Sequence, residues 1–367
     1  MSFIGKTGSF IGLNALRNLV SDSMAIDMGS ASTIIAVRGR GVVVDQPSVV
    51  AVNKITGEVI AVGDEARKMQ GREARDISVI GPLVDGVVAD FERTREMLDH
   101  FVREARSGIS HVSRRAIMSV LSGVTQVEQR ALLNAAEKAR ISRVYMIEEG
   151  QAAAIGAGVP IEDEHASAVV DIGGGTTNVA AIVSGSIVAS RAERIGSSDI
   201  DVAIMDRLRR HRGLTIGIPS AERIKLELSS AIEPKEPNKK QEVRGRDVQT
   251  GSPGAVDITA GEVYSVTLPI VRRIADEVRS MLTELAPEVA GDIFDRGVIL
   301  TGGGALLEGL PQYLQRELGL AVRVADEPRF AIVRGLSQLF EEPLLLRRVA
   351  RTEPHLLIDT EATAFET

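Results

Sequence analysis

The chain of 367 residues has no cysteine and no tryptophan, and aromatic residues make up only 3% of it. Without cysteine it has no disulfide, no thiolate nucleophile and no thiolate zinc site, a composition that suits the cytosol. Five scattered histidines do not supply an imidazole metal cluster. Few rings are available for stacking on single-stranded bases, and a formal charge of -7 gives no general attraction to a polyanion. Nucleic acid is therefore not an expected partner. No uninterrupted apolar run reaches the length of a membrane span. What remains is a chain that is 44% apolar, with an interior built from Val, Ile, Leu, Ala and Met. Its length suits two compact, closely packed lobes.

Residues 1–21 stand apart as an N-terminal arm. In a helix, Phe10, Leu13, Leu16 and Val20 would share one side, with Arg17 in the same arc. A membrane-surface contact and a packed or flexible arm both fit that pattern. No small-residue cleavage motif follows, so removal as a signal peptide is not expected.

A strand–turn–strand pattern begins at Met24-Ala-Ile-Asp-Met-Gly-Ser-Ala-Ser-Thr33, with a strand ending at Asp27 and a turn through Gly29. It recurs at Ala168-Val-Val-Asp-Ile-Gly-Gly-Gly-Thr-Thr-Asn178, where Asp171 again closes an apolar strand. One such unit is ordinary turn chemistry, but two predict a duplicated lobe. Further strands are expected at 49–52, 59–62, 115–121, 179–183 and 297–300. Helices are expected at 91–104, 126–138, 199–210, 221–229, 270–285 and 331–340, and another ends near Leu318. Thr125 and Glu128 form a capping box for the second helix. Residues 233–254 read as exposed hairpins or loops, and the chain after Leu346 as a charged, irregular tail.

Small residues let backbone N–H groups close around phosphate oxygens without collision. This marks Gly29, Ser30, Ala31 and Ser32 as one phosphate-contacting turn, and Gly173, Gly174, Gly175, Thr176 and Thr177 as another. Asp27 and Asp171 would repel a phosphate chain unless a cation lay between them. A hydrated Mg²⁺, held through water, answers that requirement. Neither a P-loop nor a Gly-x-Gly-x-x-Gly dinucleotide turn is present. Glu149, at a strand end entering a helix, would orient a hydrolytic water, with adjacent Glu148 as its competitor. Glu222, Lys225 and Ser229 lie one helical turn apart in sequence and would face a nucleoside. The Gly302-Gly303-Gly304 turn offers a second close approach to it.

Taken together, these motifs resemble the MreB family of bacterial actin-like cell-shape proteins, including its Mbl-type members. The resemblance covers about residues 22–343. It includes Gln46-Pro-Ser-Val-Val-Ala-Val52, Ala61-Val-Gly-Asp-Glu-Ala66, Pro82-Leu-Val-Asp-Gly-Val-Val-Ala-Asp-Phe91, Val243-Arg-Gly-Arg-Asp247 and Leu300-Thr-Gly-Gly-Gly-Ala-Leu-Leu307. It implies the α/β duplicated fold of actin, Hsp70 and the sugar kinases (ribonuclease H-like), with a nucleotide cleft between two lobes. Subdomain IA would comprise 22–32, 78–150 and 326–343, and IB 33–77. Subdomain IIA would comprise 151–190 and 258–325, and IIB 191–257, leaving 344–367 as a tail.

The same resemblance implies ATP, or GTP in some members, with Mg²⁺, and slow hydrolysis coupled to polymerisation. It aligns Glu149 with the water-orienting carboxylate, and Asp27 and Asp171 with the phosphate-motif acids. It also aligns Glu222, Lys225 and Ser229, with Gly302 to Gly304, on the nucleoside side. Self-association into filaments, inner-membrane lipid, cell-wall synthesis and membrane adaptor proteins are the implied partners, in the cytoplasm at the inner membrane face. Two positions depart from the family pattern: Gly150 replaces the proline after the two glutamates, and Leu121 replaces the proline before Ser122-Gly123. Extra freedom at Gly150 would weaken hydrolysis. A small-molecule kinase of the same fold and a non-hydrolysing structural filament are the alternative functions.

Overall fold

The computed structural model describes residues 23–106, 115–351 and 354–356, so the N-terminal arm lies outside the described residues. The first lobe opens with the antiparallel meander β1 (Ser23–Met28), β2 (Ser32–Val37) and β3 (Gly41–Pro47). A separate small sheet follows, of β4 (Val50–Asn53), β5 (Val59–Val62) and β6 (Ile77–Ile80), with α1 (Asp64–Met69) after β5. The hairpin β7 (Leu83–Val84) and β8 (Val87–Val88) leads to α2 (Phe91–Ala105). Next come β9 (Arg115–Val120), α3 (Gln126–Lys138), β10 (Arg143–Glu148) and α4 (Glu149–Gly156). The Thr125–Glu128 capping box closes the start of α3 as its sequence predicts.

The second lobe repeats the plan. A meander of β11 (Ser167–Ile172), β12 (Thr177–Val183) and β13 (Ser186–Glu193) leads to α5 (Ser197–Arg212), the two-residue β14 (Leu214–Thr215) and α6 (Ile218–Leu228). The hairpin β15 (Lys240–Asp247) and β16 (Pro253–Thr259) precedes α7 (Ala260–Thr283), α8 (Pro287–Arg296) and β17 (Val298–Thr301). The chain ends with α9 (Leu310–Leu318), β18 (Val322–Val324), α10 (Ala331–Gln338), α11 (Pro343–Val349) and β19 (His355–Leu356). The large sheets run β19-β10-β9-β1-β2-β3 and β13-β12-β11-β17-β18. In each, a central strand pairs antiparallel with the strand that follows it and parallel with a later one: β1 with β2 and β9, β11 with β12 and β17. Asp27 and Asp171 are each the fifth residue of a six-residue strand, so the duplication holds to the residue.

Between the sheets lie α4 and α10. All eight residues of α4, Glu-Gly-Gln-Ala-Ala-Ala-Ile-Gly, are buried. Ala152 to Ile155 share one core with Ala25, Ile34 and Ile117 of the first sheet and with Val169, Ala180 and Ile299 of the second. Small residues are required at this crossing. A Cβ on Gly156 would collide with the carbonyl of Ala331, and one on Gly335 with the carbonyl of Ala152.

Two expectations need correction. The helix expected to start at Ile270 begins ten residues earlier, at Ala260, with Thr259 and Glu262 as its capping box, and runs through Pro269. Proline in a helix costs about 3 kcal/mol, but burial of Val263, Ile270, Val271, Ile274, Val278 and Met281 outweighs it. Nor is the chain a tail from residue 344. Helix α11 buries Leu345 and Val349 in the inter-sheet core, and β19 adds an edge strand to β10.

The α4–α10 crossing yields a stability prediction. Gly335→Ala should destabilise the protein by about 3 kcal/mol, the upper range for overpacking, read as a lowered urea midpoint. An unchanged midpoint would contradict the contact.

Candidate functional site

Three carboxylates meet where the two sheets approach each other. Asp27 projects from β1, Asp171 from β11, and Glu149 is the first residue of α4. Each is buried and each accepts one hydrogen bond from a neutral side chain. Ser119 Oγ donates to Asp27 Oδ1 at 2.8 Å, and Thr301 Oγ1 donates to Asp171 Oδ1 at 2.8 Å. Asn178 Nδ2 donates to Glu149 Oε2 at 2.6 Å. The first two bonds are duplicates of each other, because Ser119 and Thr301 sit on β9 and β17, the parallel neighbours of the two aspartate strands.

Desolvation raises the Asp27 pKa to about 7, against the bond from Ser119 and with added repulsion from Asp171. Desolvation likewise raises Asp171 to about 6, opposed by the bond from Thr301. Glu149 is pushed well above the ordinary glutamate range by burial, then by the charges of Asp27 and Asp171. No lysine or arginine among the described residues offsets any of the three. A cluster of this kind favours either protons or a cation. Among the described residues no set of three His, Cys, Asp or Glu side chains is arranged to hold a metal directly. The acids therefore fit a hydrated ion better than a caged one.

The two glycine turns touch across this gap. A Cβ on Gly174 would lie 3.5 Å from Ala31 Cα and collide with Ala31 Cβ. Gly29 N–H donates to the Ser32 carbonyl, and Gly173 N–H to that of Thr176, at 3.0 and 2.8 Å. Ser30 Oγ accepts from Gly86 N–H at 2.7 Å, which leaves its own proton free to donate. Gly175 lies against Asp85, the non-glycine residue with φ 50° that precedes Gly86. The carbonyls of Gly173 and Gly174 accept from Ser197 and Ser198 N–H, and Thr177 Oγ1 donates to the Ile195 carbonyl. The second turn is thereby tied to the start of α5.

Glu148 and Glu149 separate clearly. Glu148 accepts from Ser122 Oγ at 2.7 Å and lies 3.9 Å from Arg351, away from the acid cluster. Gly150 is not a loose joint, contrary to expectation. It is buried in the first turn of α4, and a Cβ there would stand 2.6 Å from Ala180 Cβ. Leu121, the other departure, packs on Gly86, where φ is +74° and an added Cβ would strike the leucine side chain.

Of the residues predicted to face a nucleoside, Glu222 and Lys225 have protein partners of their own. Glu222 forms an ion pair with Arg67 of α1, directly linking the two lobes. Lys225 Nζ pairs with Asp201 Oδ2 at 2.7 Å and donates to the Ser197 carbonyl at 3.2 Å. Ser229 Oγ is buried without a protein partner. In the glycine turn, a Cβ on Gly302 or Gly304 would collide with Ile172, whereas one on Gly303 would meet open space. Gly302 and Gly304 are thus required by the close approach to Ile172, and Gly303 borders open space. An orphaned hydroxyl, an open glycine and uncompensated acids together fit a metal-bound, negatively charged nucleotide.

Sequence reasoning missed Ser119, Thr301, Asn178, Arg67 and Asp201. Asn178 had a readable signal, since it follows the second turn and faces Asp171 in the β11–β12 register. Arg67 had none, because its partner is 155 residues away.

A family model described as MreB/Mbl protein matches residues 21–347. The chain is 41% identical to the cell shape-determining protein MreB of Escherichia coli strain K12 over 334 residues, 90% of this chain and 96% of that protein. It is 40% identical to the cell shape-determining protein Mbl of Bacillus subtilis strain 168 over 318 residues, 87% of this chain and 95% of that one. It superposes on MreB5 of Spiroplasma citri bound to ADP with a TM-score of 0.83 at 32% identity, covering 89% of this chain and 98% of that one. The MamK double helical filament chain matches at a TM-score of 0.72 and 22% identity, over 87% and 99% of the two chains, a likeness of fold alone. The fold is thus that of actin, Hsp70 and the sugar kinases, and the chain belongs to the MreB/Mbl family of bacterial actin-like cell-shape proteins.

Proposed function

We propose that this chain is a nucleotide-dependent, actin-like filament protein that organises cell shape and wall synthesis at the inner face of the cell membrane. ATP is its preferred ligand, with GTP as the second choice, and hydrolysis is slow and tied to assembly. The observation that carries the reading is the cluster of Asp27, Asp171 and Glu149, buried between two glycine turns with no basic partner among the described residues. Relatives named cell shape-determining proteins supply the biological process. A structure of Spiroplasma citri MreB5 bound to AMPPNP, 33% identical to this chain, supports an adenine nucleotide. Four subdomains with the boundaries expected from the sequence, apart from the corrected tail, go with this reading. So do contacts to lipid through residues 1–21 and to cell-wall synthesis and membrane adaptor proteins.

A hydrated Mg²⁺ would supply the positive charge that Asp27 and Asp171 lack. The turns at 29–32 and 173–177 offer N–H and hydroxyl donors to phosphate oxygens. Glu222, Lys225, Ser229 and Gly303 flank the nucleoside. Glu149 accepts a hydrogen bond from water and orients its oxygen toward the terminal phosphorus. As the new P–O bond forms, the bond to the bridging oxygen breaks, its electron pair stays on the nucleoside diphosphate, and one water proton passes to Glu149. Positioning and electrostatics account for the rate of such a step.

Phosphate release measured alongside sedimentation tests the function. Release should rise as filaments pellet, and Glu149→Gln should lower it at least tenfold while nucleotide still binds. Assembly with no change in turnover would reject the coupling. An undiminished Glu149→Gln rate would reject the active site.

Stability should depend on pH in the absence of nucleotide and divalent ion. Asp27 and Asp171 hold their protons more tightly folded than unfolded, so their contribution is full below about pH 4 and is lost as pH rises through about 6 and 7. The melting temperature should fall by several degrees between pH 5 and pH 8, and Mg²⁺ with nucleotide should remove most of that slope. A rise over this interval would contradict the assignment.

The Arg67–Glu222 pair bridges the mouth of the cleft and is partly exposed. A pair of that exposure contributes up to about 1 kcal/mol. Arg67→Ala should speed nucleotide dissociation up to about fivefold in stopped-flow displacement, and an unchanged rate would remove Arg67 from lobe closure.

A further inference from the structure

Among the described residues, Asn178 makes the one hydrogen bond to the Glu149 side chain, and that bond is short, at 2.6 Å. The asparagine is 2% exposed, and its other amide atom, Oδ1, is buried with no partner. A buried carbonyl oxygen without a donor loses its hydration for nothing in return, so its retention beside the acid cluster needs a reason. The planar amide fixes its place. With Nδ2 given to Glu149, Oδ1 is held next to the same carboxylate, on the strand position paired with Asp171.

Backbone alternation explains how the three groups come together. Asn178, Ala180 and Ile182 point to one face of β12, and Ala180 and Ile182 lie in the core that contains α4. Val179 and Ala181 point the other way, into the core of the second lobe. The first turn of α4 rests on the Asn178 face because residue 150 is glycine. Any side chain there would meet Ala180 Cβ at 2.6 Å and push the helix, with Glu149, away from Asn178. Gly150, Ala180 and Asn178 therefore act as one fitted unit.

We propose that Asn178 is a water-holding and positioning residue for phosphate release. Its N–H₂ group locks the Glu149 carboxylate through Oε2, leaving Oε1 for water, and its Oδ1 accepts a second hydrogen bond from that same water. Two acceptors fix the orientation of the water, and its lone pair is left for the terminal phosphorus. The proposal rests on the role given to Glu149 above and adds the partner that makes the role directional.

The test uses the full chain with Asn178→Leu, which keeps the branching and heavy-atom count of the side chain and removes both polar atoms. Single-turnover phosphate release at saturating ATP should slow 10- to 100-fold, with nucleotide affinity within twofold of wild type. Combining it with Glu149→Gln should slow release no further than the slower single variant. In the nucleotide-free protein, Asn178→Leu and Glu149→Ala should shift the melting temperature non-additively, because each removes the same bond. Asn178→Ser, whose hydroxyl is too short to reach Glu149, should give the same kinetic pattern and serves if the leucine variant does not fold. Wild-type release from the asparagine variants, with release lost in Glu149→Gln, would overturn this proposal and leave the site intact. Additive melting shifts would overturn the lock. Unchanged release in Glu149→Gln would instead remove the reading on which the proposal stands.

Discussion

Burying three carboxylates with no counter-charge is the constraint around which this protein is organised. Each of Asp27, Asp171 and Glu149 has one neutral hydrogen-bond donor, and none has a basic neighbour among the described residues. In the absence of ligand, desolvation and mutual repulsion are relieved by protonation, which is why the acids titrate so far above their usual range. A divalent ion carrying phosphate relieves the same cost without protons. In the proposed function, binding and the ionisation state of the cleft would therefore be one equilibrium, with the uncompensated charge as the recognition element.

Bringing acids from two sheets this close requires the sheets to approach each other, and small residues permit that. Helix α4 is mostly alanine and glycine, and it meets α10 through Gly156 and Gly335 with carbonyl oxygens at the contact. A bulkier pair would separate the lobes and widen the gap between Asp27 and Asp171. The glycine at 150 extends the same logic to the second sheet. Its absent side chain sets the distance from α4 to β12, and so from Glu149 to Asn178. A proline at that position would fit the start of a helix equally well by backbone criteria. Freedom of the backbone is thus the wrong reading of Gly150, and closeness of packing is the right one.

Much of this was legible because the signals are local. A strand ending in aspartate, followed by a turn of small residues and a return strand, is written in about ten consecutive residues, and its second occurrence fixes the duplication. The capping box at Thr125 and Glu128 was readable for the same reason. Contacts that cross the cleft were not. Nothing near Glu222 in sequence announces Arg67, and nothing near Asp27 announces Ser119, because the parallel pairing of β1 with β9 spans most of the first lobe. The choice between Glu148 and Glu149 was undecidable locally, since both sit at one strand-to-helix junction and only tertiary packing sends them apart. Helix α7 runs unbroken through Pro269, where a local rule yields to a long buried face.

The distribution of partners on the two sides of the cleft also bears on how the lobes respond to a ligand. On the phosphate side the acids have neutral donors only, so a bound cation displaces no ion pair. On the nucleoside side the predicted contacts are already engaged, Glu222 with Arg67 and Lys225 with Asp201. A ligand that drew on Glu222 would compete with a bond that ties the first lobe to the second, whereas one that drew only on Gly303 and Ser229 would leave that bond in place. In the proposed function, phosphate and metal would pull the lobes together, while the nucleoside end would decide how firmly they stay closed. Affinity and closure would then be set by different residues of the same cleft, and each could change without rebuilding the other.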